Sequence, residues 1–495
     1  MSKLQKRRSC ASTTTTGKAS MAPRIPQGYL GNLTEAQEAK LRALWAIGLK
    51  FIEIHEADEE ATSRAKTLEE KYVPPAKKSK SMPRGQCATH DKYPALVEEL
   101  LSLLPTDERN LEKLARQAVE ALDHWTPHMY RLIVTNVVKH EHPDALALRF
   151  LRACNWDLIQ ATKMMGKTIY WRTMEAAVDD DIMRKGEGGA CEDEMNSQGL
   201  TRTLGADFMK QARWGKSYIH GTDREGRPVT HIRVRLHRSA DQTTQSLERY
   251  TVFLLELNRL SLRCPVEMGT VLLDLSGFSL ANLDLKPLKF LLKCVEENYP
   301  ESVALIIIHN APFGARTLYR FIRFWLDKGL VSKIKFTYGK KGLQRWIAPN
   351  QIIRELGGDE DWAYDYEEPR PNENAKMSNT ATRDCLMEER RAMALQFEEL
   401  TREWVMSAQL SEKAREVSAR RDGLVEELAE NYWELDPYVR ARSVYDRQGY
   451  FQGAGGVEWY SRKLEDESVV SLEKASSSAA GASSEGYESS MYDSD

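Results

Sequence analysis

GTVLLDLSGF (269–278), a helical run ending in EENYPE (296–301), SVALIIIHNAPFG (302–314), a second apolar helical run and SKIKFTY (332–338) decide the fold of this chain. Three β-rich runs separated by two helical ones are the pattern of parallel strands joined by crossover helices. In the second helical run, Leu318, Phe321, Ile322, Trp325 and Leu326 recur at i, i+3, i+4, i+7 and i+8, an apolar face suited to a core. Phe324 lies off that face, between Arg320 and Lys328 on one helical row, with Arg316, Arg320 and Arg323 opposite. A crossover helix that is greasy beyond its core face can meet either a bound apolar ligand or a membrane surface.

Composition narrows the function classes. The 70 Lys and Arg nearly balance 73 Asp and Glu, a formal charge of −3, which argues against a dedicated nucleic-acid binder. A hydrophobic fraction of 41% supports a substantial core, while no apolar run approaches the roughly 20 residues that span a bilayer. The seven cysteines are scattered, odd in number and without a C-x-x-C pair, so they read as reduced thiols and not as a disulfide framework or zinc site.

Along the chain, residues 1–28 read as a basic, Ser/Thr-rich disordered tail and 29–72 as a helical segment with Thr34 as N-cap. Residues 73–90 form a basic linker rich in helix breakers, and 91–177 an all-helical lobe in which Asp157 caps a helix. An acidic, glycine-containing loop is expected over 178–201, followed by the α/β region 202–362. There Thr230, Ile232, Val234 and Leu236 alternate with His231, Arg233 and Arg235, after the hairpin signal DREGRP. A charged helical extension covers 363–464, and 465–495 is an acidic, serine-rich tail expected to be disordered.

No stretch makes a convincing active site. GFSLA (277–281) follows a strand, but Ser279 sits five residues beyond Asp274, too far for a nucleophile elbow, and His309 lacks a preceding Asp in the expected chain order. GEGG (186–189) lies among acids that would repel phosphate and reads as a loop. His140-Glu141-His142 has i, i+2 spacing before Pro143, which is no helical metal pair and reads as a solvated loop. Lys333 and Lys335 alternate with Ile334 and Phe336, and periodicity alone turns both lysines, like Glu301, toward water.

LRFLRACNWD (148–157), GTDREGRPV (221–229), LLDLSGF (272–278), NYPE (298–301), HNAPF (309–313) and WLDKGLVSKI (325–334) stand in the order and spacing of the CRAL-TRIO lipid-binding family. The chain resembles fungal phosphatidylinositol-transfer proteins over roughly 91–362, and also in GYLGNLTEAQ (28–37). The resemblance implies an α/β CRAL-TRIO fold: a helical N-terminal lobe, then a mixed, mainly parallel sheet whose flanking helices enclose a lipid cavity. The helix over about 315–327 matches the family's gate, which makes Leu318, Phe321, Ile322, Phe324, Trp325 and Leu326 the expected gate and membrane-contact residues.

By the same resemblance Glu301, Lys333 and Asp327 are the expected headgroup residues, Lys333 pairing with phosphate and Glu301 accepting from inositol hydroxyls or orienting the lysine. Leu330 replaces a family threonine and Cys154 a family arginine, with Arg149 and Arg152 nearby. Gly269 and Val271 replace small hydroxyl residues associated with phosphatidylcholine. The implied function is non-enzymatic: binding phosphatidylinositol, carrying it between membranes or presenting it to a lipid kinase, with no cofactor and no metal. The expected setting is cytoplasmic, reversibly on endomembranes such as the endoplasmic reticulum. A carrier of another hydrophobe, a sterol or isoprenoid, is one alternative. A lipid-gated scaffold with a protein partner on the C-terminal helix is another.

Overall fold

The computed structural model describes residues 25–70, 127–326, 328–452 and 456–459. The segments 1–24, 71–126 and 453–455, Asp327 and residues 460–495 lie outside them, and with them most of the expected N-terminal tail, the basic linker, the first part of the helical lobe and the acidic C-terminal tail. The first helix, α1 (Glu35–Glu70), opens with a capping box: the Thr34 hydroxyl accepts from Gln37 N–H (3.3 Å), and the Gln37 side chain accepts from Thr34 N–H (2.9 Å). α2 (Pro143–Ala153) and α3 (Leu158–Tyr170) follow, the latter capped by Asp157 on Gln160 N–H at 2.9 Å. Met165 and Ile169 of α3 turn into the core of this lobe.

Residues 178–201 are not the expected loop. They form a π-helical turn, then α4 (Arg184–Asn196) and the start of α5 (Gly199–Arg213). Gly186, at φ 49° and ψ −147°, breaks α4 so that Glu187 turns inward. Glu187 is buried against the Arg447 guanidinium and accepts from the Tyr366 hydroxyl at 3.1 Å. Those partners lie far along the chain, so a local reading of the acids could not find them.

The sheet is built from β1 (Ser217–Thr222), β2 (Pro228–Arg233), β3 (Gly269–Asp274), β4 (Val303–His309) and β5 (Ile334–Thr337) in spatial order 1-2-3-4-5. β1 and β2 are an antiparallel hairpin, and the remaining pairs are parallel. The hairpin turn is held by Asp223, which accepts from Glu225 and Arg227 N–H at 2.9 and 3.0 Å, with Gly226 at φ 77°. The connections are α6 (Thr244–Leu260), α7 (Leu285–Lys293), and α8 (Phe313–Ile322) with α9 (Lys328–Lys333).

Because the parallel strands are added in one direction, right-handed crossovers put every connection on the same face of the sheet. The other face is closed by Leu343, Ile347, Ile352 and Ile353, packed on Tyr218, Val229, Leu272, Leu305 and Ile307.

The C-terminal extension is built mainly on two long helices, α10 (Thr380–Met406) and α11 (Glu412–Val439), joined by a turn in which Ser411 caps α11. Their apolar faces are spent inside the chain, with Phe397, Leu400, Trp404, Leu424 and Leu428 in one core with α1, α2 and α3. Arg421 donates to both oxygens of Asp144 (2.9 and 2.7 Å), which also accepts from Trp45 Nε1 at 2.8 Å.

Helical lobe and sheet meet at a buried charge cluster. Glu256 of α6, 0% exposed, accepts two hydrogen bonds from Arg172 (2.7 and 2.8 Å), one from the Tyr299 hydroxyl (2.8 Å) and pairs with Lys139 at 3.2 Å. Burial alone would raise its pKa, yet Arg172, Lys139 and Arg259 together hold it well below the ordinary carboxylate range. His140-Glu141-His142 belongs to this seam and not to a solvated loop. Glu141 is buried on Arg149 (2.9 Å) and Arg259 (3.2 Å), and His142 caps α2.

Removing one partner of such a cluster strands the others, at a cost of about 3–5 kcal/mol. Glu256→Ala is therefore expected to lose about that much stability in urea unfolding at pH 7. The depressed pKa makes this contribution complete at neutral pH and lost as pH falls through the folded value. The gap between wild type and variant should accordingly narrow below about pH 4.

Candidate functional site

The face of the sheet toward the crossovers is apolar and does not meet the helices tightly. Ile232 and Val234, Val271 and Leu273, Ile306 and Ile308, and Ile334 and Phe336 point into a space walled by Leu254 of α6, Leu288 of α7, Tyr319 and Ile322 of α8, and Leu330 of α9. This cavity has an interior volume of about 350 Å³. That is within the range of about 300–1,000 Å³ of ordinary ligand pockets, in an interior that is otherwise close-packed. The alternating half-burial of β4 has the same cause: Leu305, Ile307 and His309 are sealed on the far face, while Ile306 and Ile308 look into the cavity.

At the N-terminal edge of the parallel strands, Glu301 precedes β4 and Lys333 ends α9 just before β5. Their side chains meet, Lys333 Nζ to Glu301 Oε2 at 3.1 Å, both partly exposed. The pair is what the resemblance implied and what strand periodicity alone read as two solvent-facing residues. Glu301 sits at φ 51°, a left-handed turn that sets its side chain beside the last residue of α9. Tyr299, Ser302, Val303 and Ile334, which flank the pair, line the cavity.

Tyr29 was missed by residue-level reading, although it lies in GYLGNLTEAQ. Its ring stacks under the Arg152 guanidinium at 3.9 Å, and its hydroxyl reaches Met268 Sδ at 3.5 Å. Burial raises the Tyr29 pKa, Arg152 opposes this, and the Glu301 and Glu267 carboxylates add to it, which places all of them in one neighbourhood. Arg152 also pairs with Glu267 at 2.9 Å and Arg149 donates to Glu267 O, so these two arginines tie the lobe to the approach of β3. Cys154 packs its thiol on Met164 at 3.7 Å and is held by burial at a pKa of about 11.

The segment expected to be a gate is not a single straight helix. α8 ends at Ile322, a 3-10 turn covers Arg323–Trp325, and Leu326 is extended. That tightening breaks the 3.6-residue period. Ile322 and Leu326 line the cavity as their spacing predicts, but Trp325, assigned to the same face, is 42% exposed and lies under Lys289 Nζ of α7 at 4.6 Å. Phe324 is 82% and Phe313 89% exposed, beside exposed Arg320 and Arg323. Leu318 and Phe321 fall within α8 but their side chains, like Asp327, lie outside the described residues.

Leu330 is buried in the cavity wall. Gly269 makes room for Asn258: a Cβ there would lie 2.7 Å from Asn258 Oδ1, so the Asn258 amide, which donates to Thr230 Oγ1 at 2.9 Å, would have to shift. Gly269→Ser is expected to displace Asn258 and cost about 1–3 kcal/mol in thermal or urea unfolding. Unchanged stability would show that Asn258 is free to move.

Other candidates do not assemble. The Ser279 hydroxyl is used in a capping box with Asn282. His309 bonds Thr337 at 2.9 Å on the face away from the cavity. Among the described residues, no group of His, Cys, Asp and Glu is placed to hold a metal ion, the five cysteines are free thiols, and no helix is long and apolar enough to cross a membrane.

Comparison with known proteins agrees with this geometry. Residues 212–358 match the family model described as CRAL/TRIO domain, and residues 98–167 the model described as CRAL/TRIO, N-terminal domain. A CRAL-TRIO domain-containing protein of Schizosaccharomyces pombe is 36% identical over 84% of this chain and 91% of its own length. The phosphatidylinositol transfer protein CSR1 of Eremothecium gossypii is 33% identical over 85% of this chain and 98% of its own. The SEC14 cytosolic factor of the same organism is 28% identical over 44% of this chain and 70% of its own.

Proposed function

We propose, from the premise that this chain belongs to the CRAL-TRIO family, that it is a lipid carrier whose ligand is phosphatidylinositol. One observation carries the reading: an elongated cavity with an apolar sheet as floor and crossover helices as walls, flanked at one edge by the Glu301–Lys333 pair. Acyl chains are sequestered by the hydrophobic effect at roughly 25 cal/mol per Å² of apolar surface removed from water. The headgroup lies at the strand edge, where Lys333 meets the phosphodiester and Glu301 accepts from inositol hydroxyls.

Phosphatidylcholine fits less well. Gly269 and Val271 offer no hydroxyl, and Asn258 fills the space a side chain at 269 would need. A sterol or isoprenoid is the second reading, favoured by Leu330, which makes the cavity wall beside Lys333 apolar. In neither case does the chain perform covalent chemistry.

Exchange takes place at a membrane surface. Phe313, Phe324 and Trp325 with Arg320 and Arg323 give α8 and its 3-10 turn an apolar rim with cations beside it, the composition of an interfacial segment. The carrier works from the cytosol and touches endomembranes transiently. α10 and α11 bury Phe397, Leu400, Leu424 and Leu428 within the chain, so a partner of the scaffold alternative would meet their charged faces or the acidic serine-rich tail.

Lys333→Ala should lower transfer of labelled phosphatidylinositol between vesicles about tenfold, the loss of one charge-assisted contact worth roughly 1.5–3 kcal/mol. Transfer equal to wild type would remove Lys333 from the site. Phe324→Asp should reduce association with anionic vesicles several-fold while leaving thermal stability unchanged, since this ring is exposed; unaltered vesicle binding would take Phe324 out of the membrane contact.

A further inference from the structure

The cavity has a second polar end. Lys216 directly precedes β1, His237 follows β2, and Asp284 caps α7 after β3, so all three stand at the C-terminal edge of the parallel strands. All three line the cavity. Strands of six or seven residues put this edge roughly 20 Å from the Glu301–Lys333 pair. A cleft that shares Leu247, Leu283, Asp284 and Pro287 with the cavity continues past Gln242 to exposed Ser239 and Lys286.

Lys216 is only 4% exposed, yet no carboxylate lies within 4.0 Å of its Nζ among the described residues. Its partners are neutral: Gln242 Oε1 at 2.7 Å and His237 Nδ1 at 3.2 Å. Among the described residues, the other buried cations are compensated. Lys139, Arg172, Arg259, Arg421 and Arg440 each meet a carboxylate, and Arg390 donates to the carbonyls of Val134, Thr135, Lys139 and Leu428. Lys216 breaks that pattern, and an uncompensated buried ammonium is costly.

The nearby acids are already engaged. Asp241 takes Lys210 at 3.3 Å, and Asp284 Oδ1 accepts from Lys286 N–H at 3.1 Å. An ammonium has three N–H donors, and two are spent on Gln242 and His237. His237 Nδ1, accepting from Lys216, leaves the ring proton on Nε2. That atom is shielded from solvent and makes no formed hydrogen bond, Asp284 Oδ2 standing 3.5 Å away. Burial lowers the Lys216 pKa to about 8, with Asp241 and Asp284 opposing and Lys210 adding, so the ammonium form prevails at neutral pH.

We infer that this end of the cavity is an oxyanion subsite, in which Lys216 and His237 receive the charged head of an apolar chain lying along the sheet. The inference rests on the lipid-cavity reading and adds a second head position to it. Two sources carry the same chemistry: the carboxylate of a long-chain fatty acid and the phosphate of a phospholipid bound in the reverse direction.

The test uses the full chain, with sodium oleate, oleyl alcohol and phosphatidylinositol vesicles as probes. Lys216→Met and Lys216→Gln remove the charge at similar length, Lys216→Arg restores it, and Lys333→Ala marks the other end. Oleate affinity is expected to fall at least tenfold in the Met and Gln variants and to return in the Arg variant, with oleyl alcohol binding unchanged; this assigns a fatty acid. A comparable fall in phosphatidylinositol transfer, with oleate unaffected, assigns a phospholipid phosphate. Unchanged oleate binding and unchanged transfer overturn the subsite, and so does parallel loss of oleate and oleyl alcohol, which reports a damaged cavity. A wild-type chain that takes none of the three probes overturns the carrier reading itself, and this inference with it.

Discussion

A carboxylate with no access to water holds the two halves of this molecule together. Glu256 sits on α6, the helix that walls one side of the cavity, and takes Arg172 and Lys139 from the helical lobe and Tyr299 from the lead-in to β4. A hydrophobic seam would tolerate small slides between the halves. A desolvated, hydrogen-bonded cluster tolerates few, because every displaced donor is left without water or partner. Among the described residues, the opposite wall, α8 and its 3-10 turn, meets its neighbours through the ring contact of Tyr319 with Phe336 and the Lys289–Trp325 contact.

Strand order sets where the ligand space lies. In doubly wound sheets, helices fall on both faces and ligands collect at the switch in strand order. Here the order 1-2-3-4-5 has no switch, so all crossovers share one face and the space lies between sheet and helices. Charged side chains flank both ends of the strands. Glu301 and Lys333 occupy one end, Lys216 and His237 the other.

Much of this was legible in the sequence, for reasons that mark its limits. Strand runs and turn chemistry are local, and the DREGRP hairpin, the Thr34 capping box and the Asp157 cap follow from them. The Glu301–Lys333 pair was not accessible to periodicity, since it depends on a left-handed turn at Glu301 and on two strand starts being neighbours; only family resemblance brought it forward. Trp325 was misplaced because the 3-10 turn at Arg323 changes the helical period. Glu187, Glu141 and the GEGG segment were read as solvated because their arginine partners, Arg447, Arg149 and Arg259, come from other parts of the chain. Lys216 carried no signal at all: its meaning lies in the carboxylate that is not beside it.

The direct measurement is mass spectrometry of the organic extract of the full chain purified from a eukaryotic host. The account predicts one phospholipid per protein, with phosphatidylinositol enriched over its share of the host membranes. A chain that leaves the column folded and monodisperse but free of any extractable lipid would contradict it.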